Sequence, residues 1–408
     1  MARDKGTGSI YQDARGRWRA TIEAGWTASG SRRRIVITGA TKTEAQTKLK
    51  AKLRQIAESG IPAPGTASMT VKRYSEAWLP RTAADLRPKT QTRNQSAVRK
   101  WIVPTVGHRR LSALTPDDVR AVTAAITGAG KSSSSAHRVN AVLMKMLKDA
   151  VADGHSVPPR VLLVKPPKSA DNDREGPSVE QSMALLKTAA GDSDRSRWVA
   201  ALLQGMRQGE CLGLTWDAID LAAGTIDVSW QLQDMPYEHG CDGACGRKRA
   251  GACPERRYRL PHGYAVRPLL GAWCLVRPKT AKGKRVIPLV PWMQTALAAW
   301  RDIAPESPHG LVWPDADGKP RLPADDLAAW KALQARADVT HPSGRRYHLH
   351  EARHAAATLL MKLQVPETVR IAILGHSTAA VTRAYEHADL TEVRKALEAA
   401  AGRLGLTG

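Results

Sequence analysis

The chain contains no phenylalanine and few acids. It also has no apolar run near the roughly 20 residues that a membrane-spanning helix needs, so a helical integral membrane protein is excluded. The opening segment MARDKGTGSIYQ lacks the apolar centre of a secretory signal. The expectation is therefore a cytoplasmic protein. Five cysteines in 408 residues are too few for a disulfide framework. The scarcity of acids is the most informative deficit. Against 62 Lys and Arg stand 38 Asp and Glu, a formal charge of +24. Such an excess favours a polyanionic partner, because each neutralised phosphate releases counterions. A ribosomal or merely soluble basic protein is the plainer alternative.

The length allows two or three domains, and the reading is a multidomain α+β chain. Residues 1–60 read as a small three-stranded sheet plus one helix. Gly8–Tyr11, Arg17–Ile22 and Arg32–Ile37 are the strands, and the helix runs from Thr43 to about Ser59. Arg15, Arg17, Arg19, Arg32, Arg33 and Arg34 are its candidate DNA contacts, since a basic sheet can lie in a groove; an ordinary solvated face is the alternative. A Pro/Gly linker follows at residues 60–66. Residues 67–156 read as all helix, with Thr115-Pro116-Asp117-Asp118 opening one helix. Lys89, Arg93, Lys131 and Arg138 are the candidate phosphate contacts there. A second linker, rich in proline and charge, spans 157–177, and Ser178-Val179-Glu180-Gln181 forms a capping box after it. The remainder, to about residue 400, reads as mainly helical with a small antiparallel sheet. Its strands include Cys274–Arg277 and Arg285–Leu289, set around a Lys279–Lys284 turn.

Five short boxes stand out in this last region. They are Gly205-Met206-Arg207-Gln208-Gly209-Glu210, Arg277-Pro278-Lys279-Thr280, His350-Glu351-Ala352-Arg353-His354, Leu374-Gly375-His376-Ser377 and Tyr385-Glu386-His387. Together they offer a phenol, guanidiniums, an ammonium and imidazoles. That set suits phosphodiester chemistry without a metal: the phenol attacks phosphorus, the cations hold charge, and one of them protonates the leaving oxygen. Each box alone is weak. Arg207 could be a structural ion-pair arginine, with Glu210 as one candidate partner. Lys279 could be a solvated turn lysine, with Lys282 and Lys284 as close competitors. His376 could be a helix cap, and Tyr385 half-buried packing. Tyr237, Tyr258 and Tyr264 lie outside every box.

Taken in order, the boxes resemble those of the tyrosine recombinases, and phage-type and integrative-element integrases most of all. The resemblance covers about residues 172–400, where Ala352 replaces the family's usual leucine. The two regions before it are similar in kind to an arm-site-binding domain and a helical core-site-binding domain. The resemblance implies that Tyr385 is the nucleophile and forms a 3′-phosphotyrosine link. It implies that Arg207, Arg353 and His376 hold the scissile phosphate, that His350 is the acid/base histidine and that Lys279 protonates the 5′-oxygen. It further implies paired double-stranded attachment sites, a homotetramer on DNA, an accessory DNA-bending or excision protein, and integration or excision of a mobile element, including a viral genome. No cofactor is required for that catalysis. The rival readings are a type IB-like topoisomerase and a catalytically silent DNA-binding protein on the same scaffold.

A long insertion, about residues 233–273, interrupts the catalytic region. It carries Cys241, Cys245 and Cys253, and His239 and His262 are near enough to supply a fourth ligand. With His239 this is a candidate structural zinc site; a basic loop with unligated thiols is the alternative. Cys211 and Cys274 read as small buried apolar residues.

Overall fold

The structure is a computed structural model that describes residues 9–26, 31–59, 68–168, 175–278, 285–289, 291–362, 364–374, 394–395 and 398–399. The chain divides into two compact units, Met1–Asp171 and Asn172–Gly408.

The first unit begins with strands β1 (Ser9–Gln12), β2 (Trp18–Trp26) and β3 (Arg32–Gly39), antiparallel in that order, followed by helix α1 (Lys42–Ser59). Asp13 makes the first turn. Its carboxylate accepts the amides of Arg15 and Arg17, at 3.0 Å each, and such side-chain mimicry of a turn is what Asp supplies. Alternation puts Ala20, Ile22, Ile35 and Ile37 against Leu49, Leu53 and Ile56 of the helix. The same alternation divides the arginine run. Arg32 and Arg34 stand on the open face, whereas Arg33 shares the parity of Ile35 and Ile37. Arg19 lies opposite Thr38 in the ladder, and its Nε is 2.8 Å from Asp13 Oδ2.

Among the described residues of this unit, the α-helices that follow are α2 (Val71–Ala83), α3 (Pro88–Ala97), α4 (Val103–Val106), α5 (Pro116–Gly128), α6 (Ser133–Ala152) and α7 (Pro159–Leu162). A π-helical turn, Val98–Ile102, joins α3 to α4. Thr115 caps α5 in a reciprocal box with Asp118, and the Ser132 hydroxyl caps α6, as the residue types require. Trp78, Ile102, Leu111, Ile126, Leu143 and Met146 fill one core. The indole of Trp78 satisfies its N–H on Asp149 at 2.7 Å. Arg93, Lys131 and Arg138 are exposed and Lys89 is half-buried.

The second unit starts with α8 (Val179–Ala189), α9 (Arg195–Leu202) and α10 (Gln208–Leu212). Strands β4 (Ile219–Asp220), β5 (Thr225–Val228), β6 (Gln231–Asp234), β7 (Tyr237–His239), β8 (Arg256–Tyr258), β9 (Val266–Leu270), β10 (Trp273–Val276) and β11 (Arg285–Pro288) come next. Helices α11 (Pro291–Arg301), α12 (Pro323–Arg336), α13 (Leu349–Lys362) and α14 (Glu367–Leu374) complete it. Among the described residues the strands form three small antiparallel sheets, ordered β6-β10-β9, β11-β5-β4 and β7-β8. The two strands expected to flank the Lys279–Lys284 turn therefore belong to different sheets rather than to one hairpin. The reason is visible in their side chains. Cys274, Leu275 and Val276 are all buried, which a central strand with covered faces demands. By contrast, β11 ends in a proline and exposes Val286, as an edge strand does.

Among the described residues, the two larger apolar cores of this unit position the site. One gathers Met293, Leu297, Val312, Trp313, Ile226 and Ile287; the other gathers Leu185, Trp198, Trp330, Leu333 and Tyr347. Helices α9 and α13 contribute to both. Ala200, Ala356 and Leu360 face the first core, while Leu202, Ala352 and Leu359 face the second. The segment leaving α9 is thereby brought against α13, which carries the His350–His354 box.

Candidate active site

The segment Gln204–Arg207, between α9 and α10, is tied down from several directions. The Gln204 side chain donates to the Pro288 carbonyl at 2.9 Å. Gly205 adopts φ +59°, and a Cβ there would collide with the Leu374 side chain, so the position suits glycine alone. Its carbonyl accepts from Nη1 of Arg353. Two residues on, Arg207 is the residue preceding α10. Glu210 Oε2 accepts its amide at 2.9 Å, and Glu210 Oε1 accepts its Nη1 at 2.7 Å. Gln208 anchors the far side through Nε2, which donates to the Pro323 carbonyl at 2.9 Å and to Asp326 Oδ2 at 3.0 Å.

Asp326 is itself a fully buried carboxylate. It takes a two-pronged ion pair from Arg197, with Nε at 3.0 Å and Nη2 at 2.7 Å. Both carboxylate oxygens are satisfied, which offsets part of the cost of burying the two charges, while Nη1 of Arg197 is buried without a hydrogen-bond partner. The box that carries Arg207 thus hangs on a hub joining α9, α10 and α12.

The burial of the two arginines differs. The Arg207 side chain is 38 % exposed, while Glu210 beside it is 2 % exposed. Arg353 is 4 % exposed. The Arg207 guanidinium is open to an incoming group, whereas that of Arg353 is buried and donates to the Gly205 carbonyl. The ion pair between Arg207 and Glu210, the structural alternative, is present. It engages one terminal nitrogen of the guanidinium and so orients the fork.

His350 is exposed near the start of α13, and its ring lies edge-on to His354 at 5.2 Å between centroids. Residue spacing on a helix brings these rings together. Between them, Glu351 is buried and points the other way. It accepts the Arg345 fork at 2.8 and 2.9 Å and the His348 amide at 2.7 Å. Burial raises its pKa, but the Arg345 hydrogen bonds and the His348 amide outweigh that and hold it below the ordinary glutamate range. Sequence reasoning did not find Glu351, Arg345, Arg197 or Asp326 as supports. An acid in the first turn of α13 was a usable signal for Glu351; the Arg197–Asp326 pair, 129 residues apart, left none.

Of the six proposed catalytic residues, Arg207, His350 and Arg353 are described, and the hydrogen bond from Arg353 to the Gly205 carbonyl ties α13 to the segment that carries Arg207. Lys279, His376 and Tyr385 lie outside the described residues. Arg277, two residues before Lys279, stacks its guanidinium over Trp230 at 4.0 Å. Tyr237 and Tyr258 stack on each other at 5.1 Å within the insertion. Cys211 and Cys274 are buried, as expected. No helix among the described residues is long and apolar enough to cross a membrane.

Residues 271–392 match the phage integrase family, and residues 71–158 match the phage integrase central domain. The chain is 27 % identical to an integrase of Saccharopolyspora erythraea, over 94 % of this chain and 93 % of that one. It is 29 % identical to an integrase of Streptomyces ambofaciens, over 93 % and 92 % respectively. Among solved structures, the Tn1549 transposon integrase in complex with transposon right end DNA is similar. Its TM-score is 0.60 at 18 % identity, covering 83 % of this chain and 100 % of that one. A lambda integrase tetramer bound to a Holliday junction has a TM-score of 0.53 at 15 % identity, covering 92 % and 96 %.

The lowered pKa of Glu351 has a measurable consequence. A carboxylate whose folded pKa is depressed stabilises the fold above its ordinary value of 4.5 and ceases to do so as pH falls through the lowered folded value. Glu351→Gln should cost about 1–3 kcal/mol at neutral pH and almost nothing in strong acid, read from urea unfolding at both. A deficit that is the same at both pH values would contradict a charge-based role.

Proposed function

Because the chain belongs to the phage integrase family of tyrosine recombinases and is a site-specific recombinase, we propose that it cuts and rejoins DNA at paired attachment sites to integrate or excise a mobile element. Tyr385 attacks the scissile phosphorus; a bond forms from its oxygen to phosphorus, and the bond to the 5′-oxygen breaks. The phenolic proton passes to His350, and Lys279 gives a proton to the departing 5′-oxygen. The 5′-hydroxyl of a partner strand then attacks the phosphotyrosine, returns a proton to Lys279 and releases Tyr385, which is reprotonated. One ester replaces another in each step, so no external energy source enters. Arg207, Arg353 and His376 hold the charge of the five-coordinate phosphorus, each contributing about a hundred- to a thousandfold.

The observation that carries this reading is the hydrogen bond from Arg353 to the carbonyl of Gly205. It ties two arginines from boxes more than a hundred residues apart to one short segment. A planar fork is the side chain for two non-bridging phosphate oxygens. No cofactor enters the chemistry, and a zinc at the Cys/His cluster would act on folding alone. Lambda integrase forms a tetramer on a Holliday junction; the same assembly is proposed for this chain, since exchange between two duplexes requires several nucleophiles. An accessory DNA-bending or excision protein, and a place on the nucleoid in the cytoplasm, belong to the same proposal. Residues 1–60 serve distal arm sites through Arg15, Arg17, Arg19, Arg32 and Arg34, with Arg33 left out of that surface because it shares the parity of Ile35 and Ile37, and Lys89, Arg93, Lys131 and Arg138 grip core-site phosphates.

Incubated with a nicked core site, the wild-type protein should yield an SDS-resistant protein–DNA adduct, and Tyr385→Phe should yield none. An adduct that survives this substitution would remove Tyr385 as the nucleophile. Deleting residues 1–60 should leave core-site footprints intact and erase distal ones; distal protection by the truncated chain would refute the arm-binding role.

A further inference from the structure

The insertion leaves the catalytic unit between two paired strands. Asp234 of β6 lies opposite Trp273 of β10, so both ends of the segment are pinned. Beyond them, β7 and β8 form a hairpin of three residues a side. A hairpin of that size is marginal alone. Its apolar support is small: Met235, Cys274 and Val276, with Tyr258, Leu260, Tyr264 and Val266 against them. The residues between His239 and Arg256 need another source of order.

Four side chains converge there. The ligand atoms of His239, Cys241, Cys245 and Cys253 all lie within 4.8 Å of one another. His239 Nδ1 is 3.9 Å from Cys241 Sγ and 3.4 Å from Cys245 Sγ. The sulfurs of Cys253 and Cys241 are 3.5 Å apart. A tetrahedral zinc with ordinary bond lengths sets its sulfurs about 3.8 Å apart and its sulfur–nitrogen pairs about 3.6 Å apart. The cluster has that size already. It is far too open for a disulfide, whose sulfurs are about 2 Å apart. Among the described residues no other group of three or more such side chains converges.

The backbone is shaped to present these atoms. The amide of Cys245 donates to Cys241 Sγ at 3.4 Å, which closes the turn between these two ligands. Asp242 and Gly243 take positive φ angles of 47° and 93°, which fold the chain tightly between the first two cysteines, and Gly246, at 62°, turns it just beyond the second. Gly240 lies so close to the Glu255 carbonyl that no Cβ fits, and its amide donates to that carbonyl at 3.0 Å. This contact brings the Cys253 side of the loop onto the His239 side.

We propose that His239, Cys241, Cys245 and Cys253 bind one zinc ion, which supplies the missing core of this arm and fixes its loop. Three thiolates and a neutral imidazole leave the complex with one net negative charge. The adjacent basic residues Arg247, Lys248, Arg249, Arg256 and Arg257 offset it. All four protein positions are filled, so the ion is structural and has no open site for substrate. The proposal stands apart from strand transfer: an adduct without zinc would sink the zinc alone, and zinc without an adduct would sink the chemistry of Tyr385 alone.

The experiment measures metal in the full chain, reconstituted with zinc under reducing conditions and then dialysed. The wild type should retain about one equivalent. Cobalt in place of zinc should give the visible absorption of a tetrahedral, sulfur-rich site. His239→Ala and Cys245→Ser should fall below about half an equivalent, while His239→Cys, which restores a ligand, should hold zinc. Trypsin should cut at the exposed Arg247-Lys248-Arg249 run much faster after chelation. Wild type with less than about half an equivalent, or the same content in His239→Ala and Cys245→Ser, would overturn the proposal.

Discussion

The hydrogen bond between the Arg353 guanidinium and the Gly205 carbonyl is the contact on which the catalytic unit turns. It joins α13 to the segment leaving α9, and everything needed to fix that segment is arranged around it. Glycine at 205 lets the backbone turn with a positive φ and lets Leu374 close over it. Glu210 then holds Arg207 by backbone and side chain together. A guanidinium has more donors than one acceptor can use, so an arginine can be anchored by the protein and still present a face to a phosphate. Lysine, a point charge without a fork, could not divide itself in this way.

The unit accepts several buried charges to achieve that rigidity. Arg197 and Asp326 are wholly enclosed, and Glu210 and Glu351 are nearly so. Burial of an ion pair gives little net stability, and loss of one partner is costly. What it provides is position: Asp326 reaches Arg197 and Gln208 at once. An electrostatic catalyst gains most when its charges do not have to reorganise during reaction. A basic chain that must recruit a polyanion also needs its acids for anchoring cations in place, and 38 acids among 62 bases are here spent heavily on that task.

The local features were the legible ones. Thr115 and Ser178 announced the starts of α5 and α8 through side chains that cap their own helices. The N-terminal strands alternate, and the structure repeats the alternation, though treating Arg32–Arg34 as one surface overlooked that successive strand residues face opposite ways. The expected pairing of Glu210 with Arg207 is a matter of three residues along the chain. Partners distant in sequence were not legible. Nothing near Arg197 points to Asp326, and the strands flanking Lys279 looked like one hairpin because they are close in sequence. The unbroken apolar run Cys274–Val276 was the overlooked sign of a central strand. The cysteine spacing suggested a metal, but only the hairpin register that sets His239 opposite Arg256 selects this histidine over His262.

The central claim is that Arg207 and Arg353 form one clamp for one phosphate. The most direct measurement is a crystal structure of the Tyr385→Phe protein on a duplex core site. The account predicts terminal nitrogens of both guanidiniums within about 3 Å of non-bridging oxygens of the scissile phosphate, with the Gly205 and Glu210 contacts retained. Two arginines on different phosphates, or either one turned away from the DNA, would contradict it.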